Sequence, residues 1–263
     1  MALTIPRSPR WLLLNGHHDE ASQIISQLYP NQSVENIVSE IEESQQHHHD
    51  SKENIFMKKY RLPLMLAFLI AFFNQLSGIN AFLYYAPRIF EEAGLEKSSS
   101  LLSSIGIGVT NLIFTLIGVA MIDRLGRKKL MYIGSIGYII SLSLVAMAFF
   151  LNWEGMAVPI FLFLFIASHA VGQGAVIWVF ISEIFPDQVR ASGQAFGCGT
   201  HWVLAAIIPS LVPLLFAKVG AGAVFAFFAF MMFLQLLFVI FMMPETKGIS
   251  LEDLEKQLIK ESA

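Results

Sequence analysis

Asn74-Gln75-Leu76-Ser77-Gly78-Ile79-Asn80-Ala81-Phe82-Leu83-Tyr84-Tyr85 ends an apolar run that begins at Leu62. Three amides, one glycine and two tyrosines fall within these twelve residues. Amide side chains inside such a run are costly unless they find partners or face a cavity. The stretch therefore reads as a helix with a polar side, part of a binding pathway. On a regular helix, at about 100° per residue, Gln75 and Asn80 point about 140° apart. Gly78 lies between them and makes a distortion cheap. The helix is thus predicted to distort around Ser77-Gly78 and turn both amides to one side.

Outward from this stretch the chain is built for a bilayer. Of 263 residues, 55% are hydrophobic and 14% charged, against about 25% charged in soluble domains. Mean hydropathy is +0.61. Six apolar runs follow one another at about 62–83, 100–122, 130–151, 156–180, 192–216 and 221–243. Each is near the ~20 residues that cross a membrane as a helix. The expected organisation is a cytoplasmic, partly helical segment over 1–60, a six-helix transmembrane bundle over 61–244, and a cytoplasmic tail over 245–263. The net charge of −3 argues against a nucleic-acid partner. The one cysteine, Cys198, leaves no internal disulfide to organise the fold. Residues 1–16 show no signal peptide.

Basic residues set the expected topology. Lys58, Lys59 and Arg61 precede the first run, and Arg124, Arg127, Lys128 and Lys129 separate the second from the third. Arg190 lies between the fourth and fifth, and Lys247 follows the sixth; the opposite loops hold Arg88, Lys97 and Lys218. The bias places both termini in the cytoplasm, in a multi-pass protein of the cell (inner) membrane. Trp153, in an outer loop, is a plausible interfacial anchor. In the polar first segment, helices are expected over Ala21 to Leu28 after an Asp19 cap, and over Val34 to Glu43 after Ser33. Ile37 and Ile41 give the second an apolar stripe. His47-His48-His49 and His17-His18 read as solvated linker rather than metal ligands. In the tail, Ser250 with Asp253 resembles a capping box. Leu251, Leu254 and Leu258 recur at helical spacing.

Two joints concentrate charge: Asp123-Arg124-Leu125-Gly126-Arg127-Lys128-Lys129 and Glu183-Ile184-Phe185-Pro186-Asp187-Gln188-Val189-Arg190. Taken singly, each reads as membrane anchoring plus solvated charge. Together with Pro6-Arg7-Ser8-Pro9-Arg10-Trp11-Leu12, Gln75-Leu76-Ser77-Gly78-Ile79-Asn80, Tyr84-Tyr85, Trp178 and Pro244-Glu245-Thr246-Lys247-Gly248, the chain resembles the sugar porter family of the major facilitator superfamily. The resemblance runs nearly end to end, in the family's order. It implies an all-α membrane protein whose six transmembrane helices are half of a twelve-helix fold. The implied pieces are the central cytoplasmic loop, the second six helices and the tail.

The resemblance also implies site roles. Gln75 and Asn80 match sugar-binding amides, which suit hydroxyls because they both donate and accept. Asn74 stands where relatives carry a glutamine. Asn111 and Trp178 match further sugar contacts, and His201-Trp202 falls where relatives carry Asn or Gln before Trp. Asp123, Arg127, Glu183, Arg190 and Glu245 would form a cytoplasmic charge network that breaks as the two halves rock. Gly172-Gln173-Gly174 replaces a proline break ahead of Trp178, serving either flexibility or close packing. His169 and Gln173, at i and i+4, are expected to bond one another. Pro209 and Pro213 are expected to kink the fifth span, and Gly193 with Gly197 to allow close packing. Gln194, Cys198 and His201 also fit a plain polar stripe.

The implied activity is transport of a monosaccharide by alternating access. Symport with protons and uniport both stay open, because the family's coupling carboxylate lies in the other half. No placed nucleophile, phosphate loop, metal cluster or cofactor motif points to an enzyme. The rival reading is a chain that transports nothing alone, being a fragment that needs a separate N-terminal half or a remnant. A parallel homodimer and a sugar-sensing module are the remaining alternatives.

Overall fold

A computed structural model describes residues 7–29, 33–39, 41, 54–153, 155–249 and 251–259. Chain contacts divide it into two compact units, Met1–Asn54 and Ile55–Ala263. In the first, α1 spans Pro9–Leu14 and α2 spans His18–Leu28, with α3 over residues 34–39. The apolar run Trp11 to Leu14 thus forms a helix that was not expected. Asp19 sits inside the first turn of α2 rather than capping it, where a carboxylate favours the helix dipole. Leu12, Leu13, Ala21 and Ile24 make a small core against which Val38 and Ile41 pack. The predicted extension to Glu43, the run His47-His48-His49 and the Ser250 cap lie outside the described residues.

The second unit begins with a 3-10 turn at Lys58–Tyr60. It continues through α4 (Arg61–Leu76), α5 (Ile79–Glu92), α6 (Lys97–Leu125) and α7 (Arg127–Phe150). Then come α8 (Ala157–His169), a π turn (Ala170–Gly174), α9 (Ala175–Glu183), α10 (Arg190–Val219), α11 (Ala221–Phe241) and α12 (Leu251–Leu258). Six stretches are long and apolar enough to span a bilayer: Lys58–Glu92, Lys97–Leu125, Arg127–Phe150, Ala157–Glu183, Arg190–Val219 and Ala221–Phe241. They match the six runs read from hydropathy to within two residues where a run overhangs its helix, and extend the others by up to a few turns. The protein is an integral, multi-pass membrane protein.

One core runs through the bundle, from Tyr60, Leu66 and Ile70 through Phe82, Phe90, Tyr138, Phe165 and Phe180 to Met232. Leu254, Leu258 and Ile259 join it, so the amphipathic tail helix packs onto the charged end of the bundle. Burial is uneven. In its most apolar stretch α6 is 17% buried and α10 22%, against 44% to 61% for the other four spans. These two helices turn broad apolar faces outward, including Leu102, Leu112 and Leu116 of α6 and Val203, Leu211 and Leu214 of α10.

Two close approaches shape the interior. Gly134 on α7 faces Gly172 in the π turn; a Cβ on either would lie 2.8 Å from the other's Cα. Of the two roles open for Gly172, close packing is the one observed. Gly197 packs against Ile181, and Gly193 against the ring of Phe185. Pro209 and Pro213 lie within the continuous helix α10.

Candidate functional site

The first span is broken where the sequence predicted. α4 ends at Leu76, and Gly78 adopts φ +79°, a left-handed conformation open to glycine at little cost. Ser77 secures the turn: its hydroxyl donates to the Asn74 carbonyl (2.6 Å) and accepts from the Ile79 amide (3.3 Å). Gly78 then starts α5, its carbonyl accepting from Phe82 N at 2.8 Å. The phase shift brings Asn80 onto Gln75, with Asn80 Nδ2 donating to Gln75 Oε1 at 2.9 Å. A straight helix would have held them on different sides.

Gln75 is the hub of the resulting cluster. Its Nε2 donates to Asn74 Oδ1 at 3.0 Å and faces His201 of α10, 3.2 Å from each ring nitrogen. Asn74, Gln75 and His201 are 2%, 1% and 8% exposed, so each amide is buried with a partner, as low-dielectric surroundings require. Trp178 of α9 and Trp202 flank the His201 ring, with centroids 4.8 and 5.2 Å away. Both indoles are substantially exposed. Six of the seven expected binding residues therefore meet in one place: a buried cluster of amides and imidazole with two indoles in edge contact with the imidazole. Asn111 is not brought in. It sits half-buried on α6 and makes no side-chain hydrogen bond among the described residues.

At the charged end, the α6–α7 joint closes around Gly126 (φ +88°). Arg127 forks onto Glu183, Nη2 to Oε1 at 2.6 Å and Nε to Oε2 at 3.1 Å. Its Nη1 reaches Asp123 Oδ1 at 3.3 Å. Asp123 is mostly exposed, so that pair contributes little. Glu245 caps α7, accepting from the amides of Arg127 (2.9 Å) and Lys128 (3.1 Å), where the helix dipole favours an anion. It also accepts from the amides of Thr246 and Lys247, each at 3.0 Å. Thr246 Oγ1 donates to Glu183 Oε2 at 2.6 Å, a member the sequence reading missed. Arg190 departs from the expected group. It pairs with Asp187 at 2.5 Å and donates to the Phe185 carbonyl, because a partner three residues away on the same joint is closer than Arg127's carboxylates. Its Nη2 is buried without an acceptor among the described residues.

The bundle interior holds a second polar chain. His169 and Gln173 do not bond each other; both meet the Tyr138 hydroxyl of α7. Gln173, in the π turn, also donates to Gln235 of α11, whose Nε2 donates to Ser135 Oγ at 2.8 Å. Gln173, Gln235 and Ser135 are fully buried. The expected i, i+4 bond fails because the π turn changes the spacing and long-range partners offer better-placed atoms. A lone glutamine in the apolar run of α11 was the one signal for this chain.

Known proteins resemble this chain in sequence and in fold. The family model described as "Sugar (and other) transporter" matches residues 1–258. The arabinose-proton symporter of Bacillus subtilis (strain 168) is 35% identical over 98% of this chain and 56% of its own length. The D-xylose-proton symporter of Escherichia coli (strain K12) is 31% identical over 96% of this chain and 52% of its own. Among solved structures, a major facilitator proton:xylose symporter bound to 6-bromo-6-deoxy-D-glucose superposes with a TM-score of 0.81. It shares 31% identity and covers 97% of this chain and 55% of its own. The chain thus spans about half the length of these relatives, and its ordered motifs place it on their C-terminal half.

Proposed function

This chain belongs to the sugar (and other) transporter family, and from that premise we propose that it supplies the C-terminal half of a monosaccharide carrier working by alternating access. The observation that carries the reading is the Asn74–Gln75–Asn80–His201 cluster between Trp178 and Trp202. Its amides can donate to and accept from hydroxyls on one face of a sugar, while the indoles cover the apolar C–H face. Asn111 on α6 would join from the side when the two halves close on the sugar. The relatives that match this chain are transporters, and some are named as proton symporters of pentoses.

Replacing Gln75 with Leu removes the donor that meets His201 and the acceptor that holds Asn80. Binding of radiolabelled D-xylose or D-glucose to the purified protein in nanodiscs should weaken at least about tenfold. Unchanged binding by Gln75→Leu, with wild-type binding intact, would defeat the assignment of this cluster.

The joint is the gate in this proposal. Arg127, Glu183, Glu245 and Thr246 would hold the cytoplasmic end closed, and Asp123 and Arg190 would complete the lock against an N-terminal six-helix half. The buried, unpartnered Nη2 of Arg190 is a donor that such a half could satisfy. Basic residues at the α6–α7 joint support a cytoplasmic position for this end and for both termini, in the cell membrane. The match to about half the length of full carriers favours a dependent role: the chain carries sugar only when paired with that half. Uptake into liposomes by the purified chain alone would reject this dependence. Uptake restored by co-reconstituting an N-terminal half from a relative would support it.

A further inference from the structure

We propose that His201 is a proton-binding site built into the amide cluster, and that its protonation switches the cluster out of its sugar-binding arrangement. The inference rests on the binding reading above but is carried by hydrogen-bond direction. Gln75 takes one amide orientation in this structure. Its Oε1 is taken by Asn80 Nδ2 at 2.9 Å, and its Nε2 points to Asn74 Oδ1 and to the His201 ring. An amide nitrogen can only donate, so the ring must supply an acceptor. Neutral imidazole has one; imidazolium has none.

A proton on His201 therefore sets donor against donor inside a buried site. The opposition is relieved if Gln75 turns its amide over and offers Oε1 to the ring. Its Nε2 then faces Asn80, whose own amide must turn in response, and Asn74 Oδ1 loses its donor. One proton thus reverses donors and acceptors along the chain that would read the sugar. Glutamine or asparagine at this position could not do this, since neither titrates near neutral pH. Histidine does.

The surroundings leave His201 as the responsive group. On α4, Arg61 is the single titratable residue and stands at the first position. On α5, Tyr84, Tyr85, Arg88, Glu91 and Glu92 all lie beyond Asn80 towards the helix end. Glu183 on α9 is held by Arg127 and Thr246. α11 carries no titratable residue. On α10 itself, Arg190 and Lys218 lie at the ends and Cys198 one turn away. His169, an electrostatic neighbour, is engaged with Tyr138. Among the described residues, no carboxylate stands ready to receive the proton in place of the ring.

Trp178 and Trp202 make the switch visible without any sugar, because an imidazolium quenches an adjacent indole. Tryptophan emission of the full chain in nanodiscs would be followed from about pH 8 to about pH 4. A His17→Gln background removes the ring that stacks near Trp11. A reversible loss of emission is expected, absent from His201→Gln and retained by His169→Gln. Binding of tritiated D-xylose and D-glucose should weaken about tenfold over the same interval, and in His201→Gln it should lose this pH dependence. An emission step that survives His201→Gln, or vanishes in His169→Gln, overturns the proposal. So does sugar binding that is equal at both pH values. If neither sugar binds at any pH with an N-terminal half co-reconstituted, while the His201-dependent step is present, the carrier reading fails and the proton site stands.

Discussion

Arg127→Glu should cost about 3–5 kcal/mol of stability, the usual penalty for breaking a largely buried ion pair from one side. The Arg127 side chain is 11% exposed and its Glu183 partner 23%, so solvent screens the pair only weakly. Charge reversal also sets a fourth carboxylate among Asp123, Glu183 and Glu245. Thr246 then holds Glu183 alone, and the Glu245 cap on α7 is repelled from the turn it closes. Arg127→Lys keeps the charge but loses the two-pronged contact, and should cost roughly 1–2 kcal/mol. Thermal unfolding in detergent, followed by the monodisperse fraction on size exclusion, ranks the two. Equal melting of wild type and Arg127→Glu would show that the joint carries no stability. In a carrier completed by an N-terminal half, the reversal should also abolish uptake. Unchanged uptake would remove the joint from the gating proposal.

Gly78→Val should have the second largest effect, and its origin is separable. A β-branched residue at φ +79° is strained by at least about 1–2 kcal/mol. Its Cβ would also sit 2.5 Å from Cδ2 and Cε2 of Phe228, an overlap costing about 1–3 kcal/mol. Phe228→Ala should relieve the overlap and leave the backbone strain, so the double variant recovers only part of the loss. The expected signature is a lowered melting temperature together with lost sugar binding, since realigning α5 on α4 separates Asn80 from Gln75. Full rescue by Phe228→Ala would mean that the left-handed turn is dispensable.

Gly78 also shows what a sequence makes legible. Gln75 and Asn80 share a side only if the helix breaks, and the one residue that breaks it cheaply stands between them. The six spans were legible for a similar reason: run length and hydropathy are local quantities. The long-range polar chain was not. His169 and Gln173 stand at a spacing that fits a mutual bond, yet each turned to Tyr138, 31 and 35 residues away along the chain. Gln235 carried no spacing cue at all. Arg190 has a local partner, Asp187, that the resemblance did not point to. Thr246 lay inside a quoted motif, but only the fold brings its hydroxyl to Glu183.

The π turn at Ala170–Gly174 has a further consequence. A π turn holds one residue more than an α turn, so it fixes the angular phase of everything after it. Trp178 and Glu183 both follow, on the single short rod of α9: one stands beside His201, the other grips Arg127. Converting the turn to α geometry would advance that rod by one residue, about 100°. The indole and the carboxylate would swing together, like two teeth on one screw. The glutamine latch to α11 sets that screw, and the proposed substrate wall and gate are therefore geared to one another through a single surplus residue.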